Sequence, residues 1–132
     1  MKFEVAAGKR KTSIAKATVS EGKGIVRINS RLLENYEPTV CRMRIQEPLF
    51  LAGELAKKTD IKITVNGGGF QSQTEAIRLA IARGLVSFFK DQNLKKAFLE
   101  YDRHLMIQDP RAKETRKPND SKARAKRQKS YR

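Results

Sequence analysis

Residues 61–89 read Ile-Lys-Ile-Thr-Val-Asn-Gly-Gly-Gly-Phe-Gln-Ser-Gln-Thr-Glu-Ala-Ile-Arg-Leu-Ala-Ile-Ala-Arg-Gly-Leu-Val-Ser-Phe-Phe. The segment 61–66 alternates β-branched apolar residues with polar residues, which predicts a half-buried strand. A helical pattern then runs to Phe89, and its apolar stripe predicts the side that packs on the core. Ser72 and Glu75 have the spacing of a capping box, which predicts the start of this helix. The stretch therefore reads as a strand, a glycine turn and a long helix in succession.

The glycine turn, Gly67 to Gly69, is a candidate anion site. Glycine lets a phosphate approach the backbone closely, and the dipole of the following helix favours negative charge. Three interpretations stay open at this point: a sharp turn that needs positive φ, a backbone contact with nucleic acid, and a site for a small phosphate substrate. A nucleotide-binding enzyme has little support, because no Gly-Lys-Ser/Thr follows the glycines and no acidic pair is evidently placed for magnesium.

The N-terminal segment predicts two strands joined by a basic turn. The strands are expected over 3–7 and 13–19, the second with Ala15, Ala17 and Val19 on one face. Between them, the segment 8–12 holds three consecutive cations, which repel one another. This segment is either a solvated charged turn or a loop that contacts phosphate, and the basic character of the whole chain favours the loop.

The middle of the chain predicts a further strand over 25–29 and then an interrupted helical pattern over 30–58. Pro38 suits a first helical turn. Pro48 lacks an amide hydrogen and is expected to break or kink the helix, with a second short helix after it. Arg42 and Arg44 either reach a phosphate or lie on a solvated face.

The segment that follows the long helix predicts a shorter helix over 91–101 and a last strand over 104–108. His104 has no recognisable Ser, Cys or carboxylate partner, so it is interpreted as a packed or surface imidazole and not as a general base.

Composition limits the function classes. The 132 residues carry 29 basic and 14 acidic side chains, a formal charge of +15, which indicates a large acidic partner. A single cysteine cannot form an internal disulfide, and a single histidine gives no metal cage. The chain also lacks the apolar run of a signal peptide or a spanning helix. The expectation is an intracellular, reduced, soluble protein.

Two parts of the chain differ in character. Residues 1–109 suffice for one modest core, whereas residues 110–132 hold ten basic residues against two acids and almost nothing apolar. Ordering such a tail costs roughly 1–2 kcal/mol per residue, so we expect it to be disordered without a polyanion. The prediction is a globular domain, 1–109, and an extended basic tail, 110–132, that orders on phosphates.

Several motifs in register resemble the small-subunit ribosomal protein nine family over essentially the whole chain. They are Gly8-Lys9-Arg10-Lys11-Thr12-Ser13, Gly67-Gly68-Gly69 with Gln73, Ala76-Ile77-Arg78, Ala80-Ile81-Ala82-Arg83, Asp109-Pro110-Arg111 and the ending Gln128-Lys129-Ser130-Tyr131-Arg132. The ending is similar to that of the archaeal and eukaryotic branch. Asn119 replaces a familiar tail glycine, but asparagine also tolerates positive φ.

The resemblance implies an α/β (α+β) two-layer sandwich like domain 2 of ribosomal protein five, a mixed sheet with helices on one face and a left-handed crossover, plus an extended basic C-terminal tail. It implies a non-enzymatic constituent of the head of the small ribosomal subunit, located in the cytoplasm on the ribosome. The implied partners are small-subunit ribosomal RNA, the peptidyl-site tRNA and neighbouring small-subunit head proteins. No cofactor, metal ion, small-molecule substrate or membrane is expected.

The residues expected to contact tRNA by this resemblance are Lys129, Ser130, Tyr131 and Arg132. Those expected to contact ribosomal RNA are Lys9, Arg10, Lys11, Thr12, Gly67, Gly68, Gly69, Gln71, Arg78 and Arg83 in the body, and Arg111, Lys113, Arg116, Lys117, Lys122, Arg124, Lys126 and Arg127 in the tail. Two alternatives remain: a general nucleic-acid-binding or compacting protein, and a small kinase-like enzyme built on the glycine turn.

Overall fold

The structure is a computed structural model that describes residues 2–131. Its strands are β1 (Phe3–Arg10), β2 (Ser13–Glu21), β3 (Val26–Ile28), β4 (Arg31–Leu32) and β5 (Thr59–Asn66). Its helices are α1 (Thr39–Ala52), α2 (Glu54–Lys57), α3 (Phe70–Phe89) and α4 (Gln92–Tyr101), with short 3-10 turns at Leu33–Asn35 and Arg103–Leu105. No helix within the described range is long and apolar enough to cross a membrane.

The five strands form one mixed sheet in the order β1-β2-β5-β3-β4. The β1/β2, β2/β5 and β3/β4 pairs are antiparallel, whereas β3 and β5 are parallel and are connected through α1 and α2. Helix α3 packs on β1, β2 and β5, α1 packs on α3 with Ile45 in the common core, and α4 packs beside both helices. The predicted fold class, a mixed sheet with helices packed on it, is confirmed.

Alternation along the strands separates a buried face of the sheet from an open one. On β2, Ala15, Ala17 and Val19 are fully buried while Ile14 is 46% exposed. The segment predicted to be a strand at 61–66 lies in β5, where every second residue is likewise buried against the helices. The apolar stripe of α3 covers this face, so the core lies between one layer of strands and one layer of helices.

Small residues bring α3 unusually close to the sheet. A Cβ added to Gly8 on β1 would lie 2.2 Å from the carbonyl oxygen of Ala76 and 2.8 Å from the amide nitrogen of Ala80. A Cβ on Gly84 would lie 2.8 Å from a methyl group of Val19. Glycine is therefore required at Gly8 because helix backbone occupies the space of a side chain.

The helix is interrupted at Gly53 and not at Pro48, so the break expected at Pro48 is wrong, whereas the second short helix expected after it is present as α2. Pro48 is inside α1, which continues to Ala52, and Gly53 then adopts φ 55 and ψ −118 before α2 begins. A proline removes one helical hydrogen bond, and here the buried face of α1 keeps the helix intact around it. A glycine with positive φ ends the helix more effectively than the missing amide hydrogen does.

The long helix begins earlier than the capping box predicts. Gly69 is the N-cap, no side chain caps the helix, and Ser72 lies inside the first turn. Glu75 does not reach back to the helix start because its carboxylate accepts a hydrogen bond from Arg10 at 2.8 Å. An ion pair with a distant strand thus replaces the local cap.

The strand predicted over 104–108 is also wrong. Arg103–Leu105 forms a 3-10 turn, in which the Asp102 carboxylate accepts a hydrogen bond from the His104 amide, and Leu105 is fully buried. The shorter helix is confirmed as α4, capped by Asp91. Beyond Leu105, the described backbone up to Tyr131 forms bends and turns but neither helix nor strand.

Candidate nucleic-acid interface

The basic turn is a tight hairpin end. Strand β1 continues to Arg10, which pairs with Ser13, so only Lys11 and Thr12 lie between the strands. Lys11 adopts φ 54. Most of the loop predicted over 8–12 is therefore strand. Gly8 packs closely against α3, and Gly8, Lys9 and Arg10 all pair with residues of β2.

The hairpin end and the glycine turn lie against each other. Ser13 Oγ donates a hydrogen bond to the Gly67 carbonyl at 2.8 Å, and Gln73 Nε2 donates to the same carbonyl at 3.0 Å. Gly67 and Gly68 adopt φ 79 and 66, and a Cβ on Gly68 would lie 2.1 Å from Ser13 Oγ. Gly67 and Gly68 must therefore be glycine, because both have positive φ and the hairpin leaves no room for a Cβ.

Gly69 differs from the two glycines before it. It adopts φ −93, and no atom lies within 4 Å of the position that a Cβ would take. Packing within the described chain does not require a glycine there, and the space outside it is open.

The hairpin end also meets the start of the tail. An open cleft of about 590 Å³ is lined by Arg10, Lys11 and Thr12 on one side and by Arg111, Ala112 and Lys113 on the other. Its lining contains four cations and no carboxylate. We call these six residues the basic cleft, because residues about a hundred positions apart in the chain concentrate positive charge in one place.

Arg10 holds the base of the tail against the body. Its side chain is only 12% exposed and forms ion pairs with Glu75 at 2.8 Å and Asp109 at 3.5 Å. Arg10 Nη1 also donates to the Arg111 carbonyl at 3.1 Å. The guanidinium is thus largely occupied by acceptors of its own chain, which leaves Lys11, Arg111 and Lys113 as the more accessible cations of the cleft.

Asp109 is the acceptor that fixes the tail base. Hydrogen bonds from the Arg111 guanidinium and from the Arg111 amide, together with the charge of Arg10, hold the pKa of the Asp109 carboxyl well below its usual range. The carboxylate therefore stays ionised and keeps Arg10 and Arg111 beside each other.

Arg78 and Arg83, which are expected to contact ribosomal RNA, are engaged in contacts within the chain. Arg78 is 14% exposed, pairs with Asp102 at 2.8 Å and also contacts Glu47. Arg83 Nε donates to the Met106 carbonyl at 3.1 Å, and its Nη1 donates to the Ala7 carbonyl at 3.1 Å. Helical periodicity places both off the apolar stripe, but it does not show that neighbouring elements cover that side of α3.

Arg42 and Arg44 differ in their surroundings. Arg42 donates to the Glu34 carbonyl at 2.6 Å, whereas Arg44 is 51% exposed and lies 3.6 Å from a Glu75 oxygen.

His104 is exposed, and its Nδ1 lies 3.4 Å from the Ile107 carbonyl oxygen. It is a surface imidazole, as predicted. No cluster of potential metal ligands occurs among residues 2–131.

The tail is exposed along nearly all of its described length. Asn119 adopts φ 64, the positive value that the sequence allows at this bend. Arg124 pairs with Glu114 at 2.6 Å, and Arg127 donates to the Asn119 carbonyl at 3.0 Å. The predicted tail cations outside these contacts are also exposed: Lys113, Arg116, Lys117, Lys122, Lys126 and Lys129.

The predicted tRNA-contacting end is solvent-facing where it is described. Lys129 and Ser130 are exposed, and Tyr131 is 89% exposed. Arg132 lies outside the described residues. In the body, Gln71 is exposed in the first turn of α3.

Sequence reasoning left some exposed cations unassigned. Lys16, Arg27 and Lys62 lie on the open face of the sheet, on β2, β3 and β5. The alternation of each strand was visible in the sequence, but the order and register of the strands, which place these residues side by side, were not.

Comparison with known proteins shows the family of the chain. Residues 8–132 match the family model described as Ribosomal protein S9/S16. The chain is 50% identical over all 132 residues to "Small ribosomal subunit protein uS9" of Desulfurococcus amylolyticus, 94% of whose length is covered. It is 48% identical over 128 residues, 97% of this chain and 90% of the relative, to the protein of that name from Pyrobaculum aerophilum. It is 47% identical over 132 residues, the full length of both chains, to that of Methanothrix thermoacetophila. The chain belongs to the ribosomal protein S9/S16 family.

Proposed function

We propose that this protein is a constituent of the small ribosomal subunit that binds ribosomal RNA with its body and tail and contacts the peptidyl-site tRNA with its C-terminal end. As a member of its family it is a structural ribosomal component and not an enzyme. It acts in the cytoplasm as part of an archaeal-type ribosome.

The observation that carries the RNA-binding proposal is the basic cleft. Cations from two distant segments line one open space without a carboxylate among them. Asp109 already pairs with Arg10 and Arg111, whereas Lys11 and Lys113 have no ion pair among the described residues. The phosphates of a polyanion can pair with these two lysines through charge-assisted hydrogen bonds. The cleft opens beside the glycine turn, where little side-chain bulk separates a ligand from the backbone.

The tail extends the same chemistry away from the body. Residues 110–132 are a separate unit in this proposal: they order among RNA phosphates, while residues 1–109 anchor them. Fully extended, the tail spans at most about 75–80 Å. Its end therefore acts far from the anchor, where Lys129 and Arg132 supply positive charge to a tRNA phosphate and Tyr131 offers an aromatic ring for stacking.

Competition binding tests the ribosomal RNA part. The full chain should bind small-subunit ribosomal RNA more tightly than random duplex DNA at moderate salt, because RNA shape contributes to recognition. If about five tail cations neutralise phosphates, the logarithm of affinity should fall with log salt at a slope of about −3.5 to −4.5. Equal affinity for both nucleic acids would favour a general nucleic-acid-binding protein instead.

Truncation tests the tRNA part. Deleting Lys129 to Arg132 should lower peptidyl-site tRNA occupancy on reconstituted subunits while sucrose gradients show normal subunit assembly. A control that replaces the same four residues with a glycine-serine segment separates the loss of charge and of the ring from the loss of length. Unchanged tRNA occupancy in both variants, or missing subunits, would contradict the proposal that the last four residues contact tRNA and are not needed for subunit assembly.

A further inference from the structure

The open face of the sheet carries a line of cations that begins beside the basic cleft but shares no residue with it. Lys9, Lys16, Lys62 and Arg27 are all exposed, and each lies between neighbours that face the helices. They come from four adjacent strands, β1, β2, β5 and β3. We call these four residues the cationic row.

The register shows how close the members of the row are. Lys9 pairs with Ile14, two residues from Lys16 on the same face, and Lys16 pairs with Thr64, two residues from Lys62. Diagonal neighbours of this kind are about 7–8 Å apart. Lys62 is the direct parallel partner of Arg27, on a strand about 4.8 Å away. The row therefore crosses the sheet as one continuous diagonal.

The row has no acidic counterpart among the described residues. None of its four members takes part in an ion pair there, in contrast to Arg10 and Arg78. The acid on this face, Asp60, is already occupied, because its Oδ1 accepts hydrogen bonds from the Lys23 amide at 2.8 Å and the Ile25 amide at 2.9 Å. Like charges opposite one another in a sheet destabilise it. An external anion that pairs with the row would remove this repulsion.

The side chains beside Lys16 and Lys62 on the neighbouring strand are short and neutral, whereas Ile14, 46% exposed, lies between Lys9 and Lys16. Thr18 and Thr64 occupy the open-face positions beside Lys62 and Lys16. A polyanion can therefore approach the sheet surface without meeting a carboxylate or a bulky side chain at the centre of the row. A nucleic-acid strand fits this surface better than a protein segment, because positive charge repeats from strand to strand. The exposed apolar side chains of this face, Phe3, Val5 and Ile14, flank the row and do not separate Lys16, Lys62 and Arg27.

We propose that the open face of the sheet is a second RNA-binding surface, on which the cationic row contacts consecutive phosphates of one RNA strand. This inference rests on the proposed function, since it identifies further contacts with the same RNA. Lys9 lies next to Arg10 at the edge of the basic cleft, and the row runs from there across the sheet to Arg27. The row therefore extends the RNA contact proposed for the cleft over the open face of the sheet.

Charge-matched variants test the row. The row variant carries Lys16→Gln, Lys62→Gln and Arg27→Gln, all outside the basic cleft. The control variant carries Lys58→Gln, Lys95→Gln and Lys96→Gln, which also removes three positive charges, but from exposed positions outside the row. For small-subunit ribosomal RNA, the salt slope of the row variant should be shallower by about 2 to 3, and that of the control by less than about 1. Equal changes in both variants would overturn the proposal.

Directed cleavage tests the same surface without removing the row. An iron-chelate probe is attached at Thr18→Cys, with Cys41→Ala to leave one thiol, and at Lys96→Cys as the control. Hydroxyl radicals should cut ribosomal RNA next to the Thr18 position, and absence of such cuts would overturn the proposal. A wild-type chain without preference for ribosomal RNA would instead refute the proposed function. If the wild-type chain prefers ribosomal RNA but the row and control variants change the salt slope equally, the RNA contact of the row is refuted and the proposed function stands.

Discussion

Replacing Arg78 with methionine should destabilise the protein while leaving the RNA contacts of the folded chain unchanged. Arg78 joins α3 to α1 through Glu47 and to the end of α4 through Asp102, at 2.8 Å from the latter. Methionine keeps the apolar stem but leaves both carboxylates without their cation. The substitution therefore separates a structural role of this arginine from the RNA contact that the sequence predicts for it.

The magnitude follows from how far the group is buried. Breaking a buried ion pair costs about 3–5 kcal/mol, whereas an exposed pair contributes at most about 1 kcal/mol. Arg78 is 14% exposed, but Glu47 and Asp102 are 28% and 34% exposed, so water partly solvates the carboxylates left behind. We expect a loss of about 2–3 kcal/mol in the free energy of unfolding. This corresponds to a fall in Tm of about 8–12 °C for a domain of this size.

The pH dependence gives a second readout. Burial by itself would raise the pKa of Asp102, but hydrogen bonds from Arg78 and from the His104 amide, together with nearby positive charge, lower it. A carboxyl whose pKa is lowered by folding stabilises the protein above its unfolded pKa of about 3.9, and that contribution is lost as the pH falls towards the folded value. The difference between wild type and Arg78→Met should therefore shrink below about pH 4.

Urea unfolding followed by circular dichroism measures the free energy, and filter binding measures RNA affinity under conditions where both proteins are folded. A triple variant that adds Glu47→Gln and Asp102→Asn should recover at least about 1 kcal/mol, because no uncompensated charge remains. The structural interpretation would be refuted by a stability loss under about 0.5 kcal/mol combined with weaker RNA binding.

Three further predictions concern the packing at Gly8, the loss of stability at low pH and the contact of Arg10 with the start of the tail. Gly8→Ala should cost about 1–3 kcal/mol or more in urea unfolding, because helix backbone lies within 3 Å of the new Cβ, whereas Gly69→Ser, in open space, should change stability by less than about 0.5 kcal/mol. Asp60→Ala should destabilise at pH 6, and the loss should shrink as the pH falls below about 4, because hydrogen bonds from backbone amides, chiefly that of Ile25, lower the Asp60 pKa below its unfolded value; a loss that stays constant as the pH falls would contradict this. Arg10→Gln should speed tryptic cleavage at the start of the tail without unfolding the body, and an unchanged digestion rate would show that other contacts hold the tail base.

Local patterns sufficed for most of the secondary structure. Alternation in Ile61–Asn66 and helical spacing up to Phe89 predicted β5 and α3, because each of these segments has one buried face. Pro48 was harder to interpret, because a proline within a helix is tolerated when tertiary packing outweighs one missing hydrogen bond. The end at Gly53 depends on a backbone conformation that propensity alone does not predict.

The candidate site was predicted in part for a related reason. Composition and motifs identified the basic turn, the glycine turn and the tail as candidates, and the first two meet in space through the bond from Ser13 to Gly67. Whether a given cation is accessible depends on contacts distant in sequence, such as Arg78 with Asp102. Lys9 was predicted as an RNA contact, but the other members of the cationic row were missed because the row requires strand order and register, which the sequence of single strands does not contain.

The fastening of the tail at Arg10 has a consequence for its reach. Because Asp109 and the Arg111 carbonyl are tied to the end of β1, the tail starts from one defined point on the body. The distance from that origin to the tip is then set by the number of residues that follow, at up to about 3.3–3.6 Å for each one. With the tRNA contact proposed above, a residue inserted after Arg111 should move the tip past that contact, whereas a conservative exchange within the tail should leave the span of the tail unchanged.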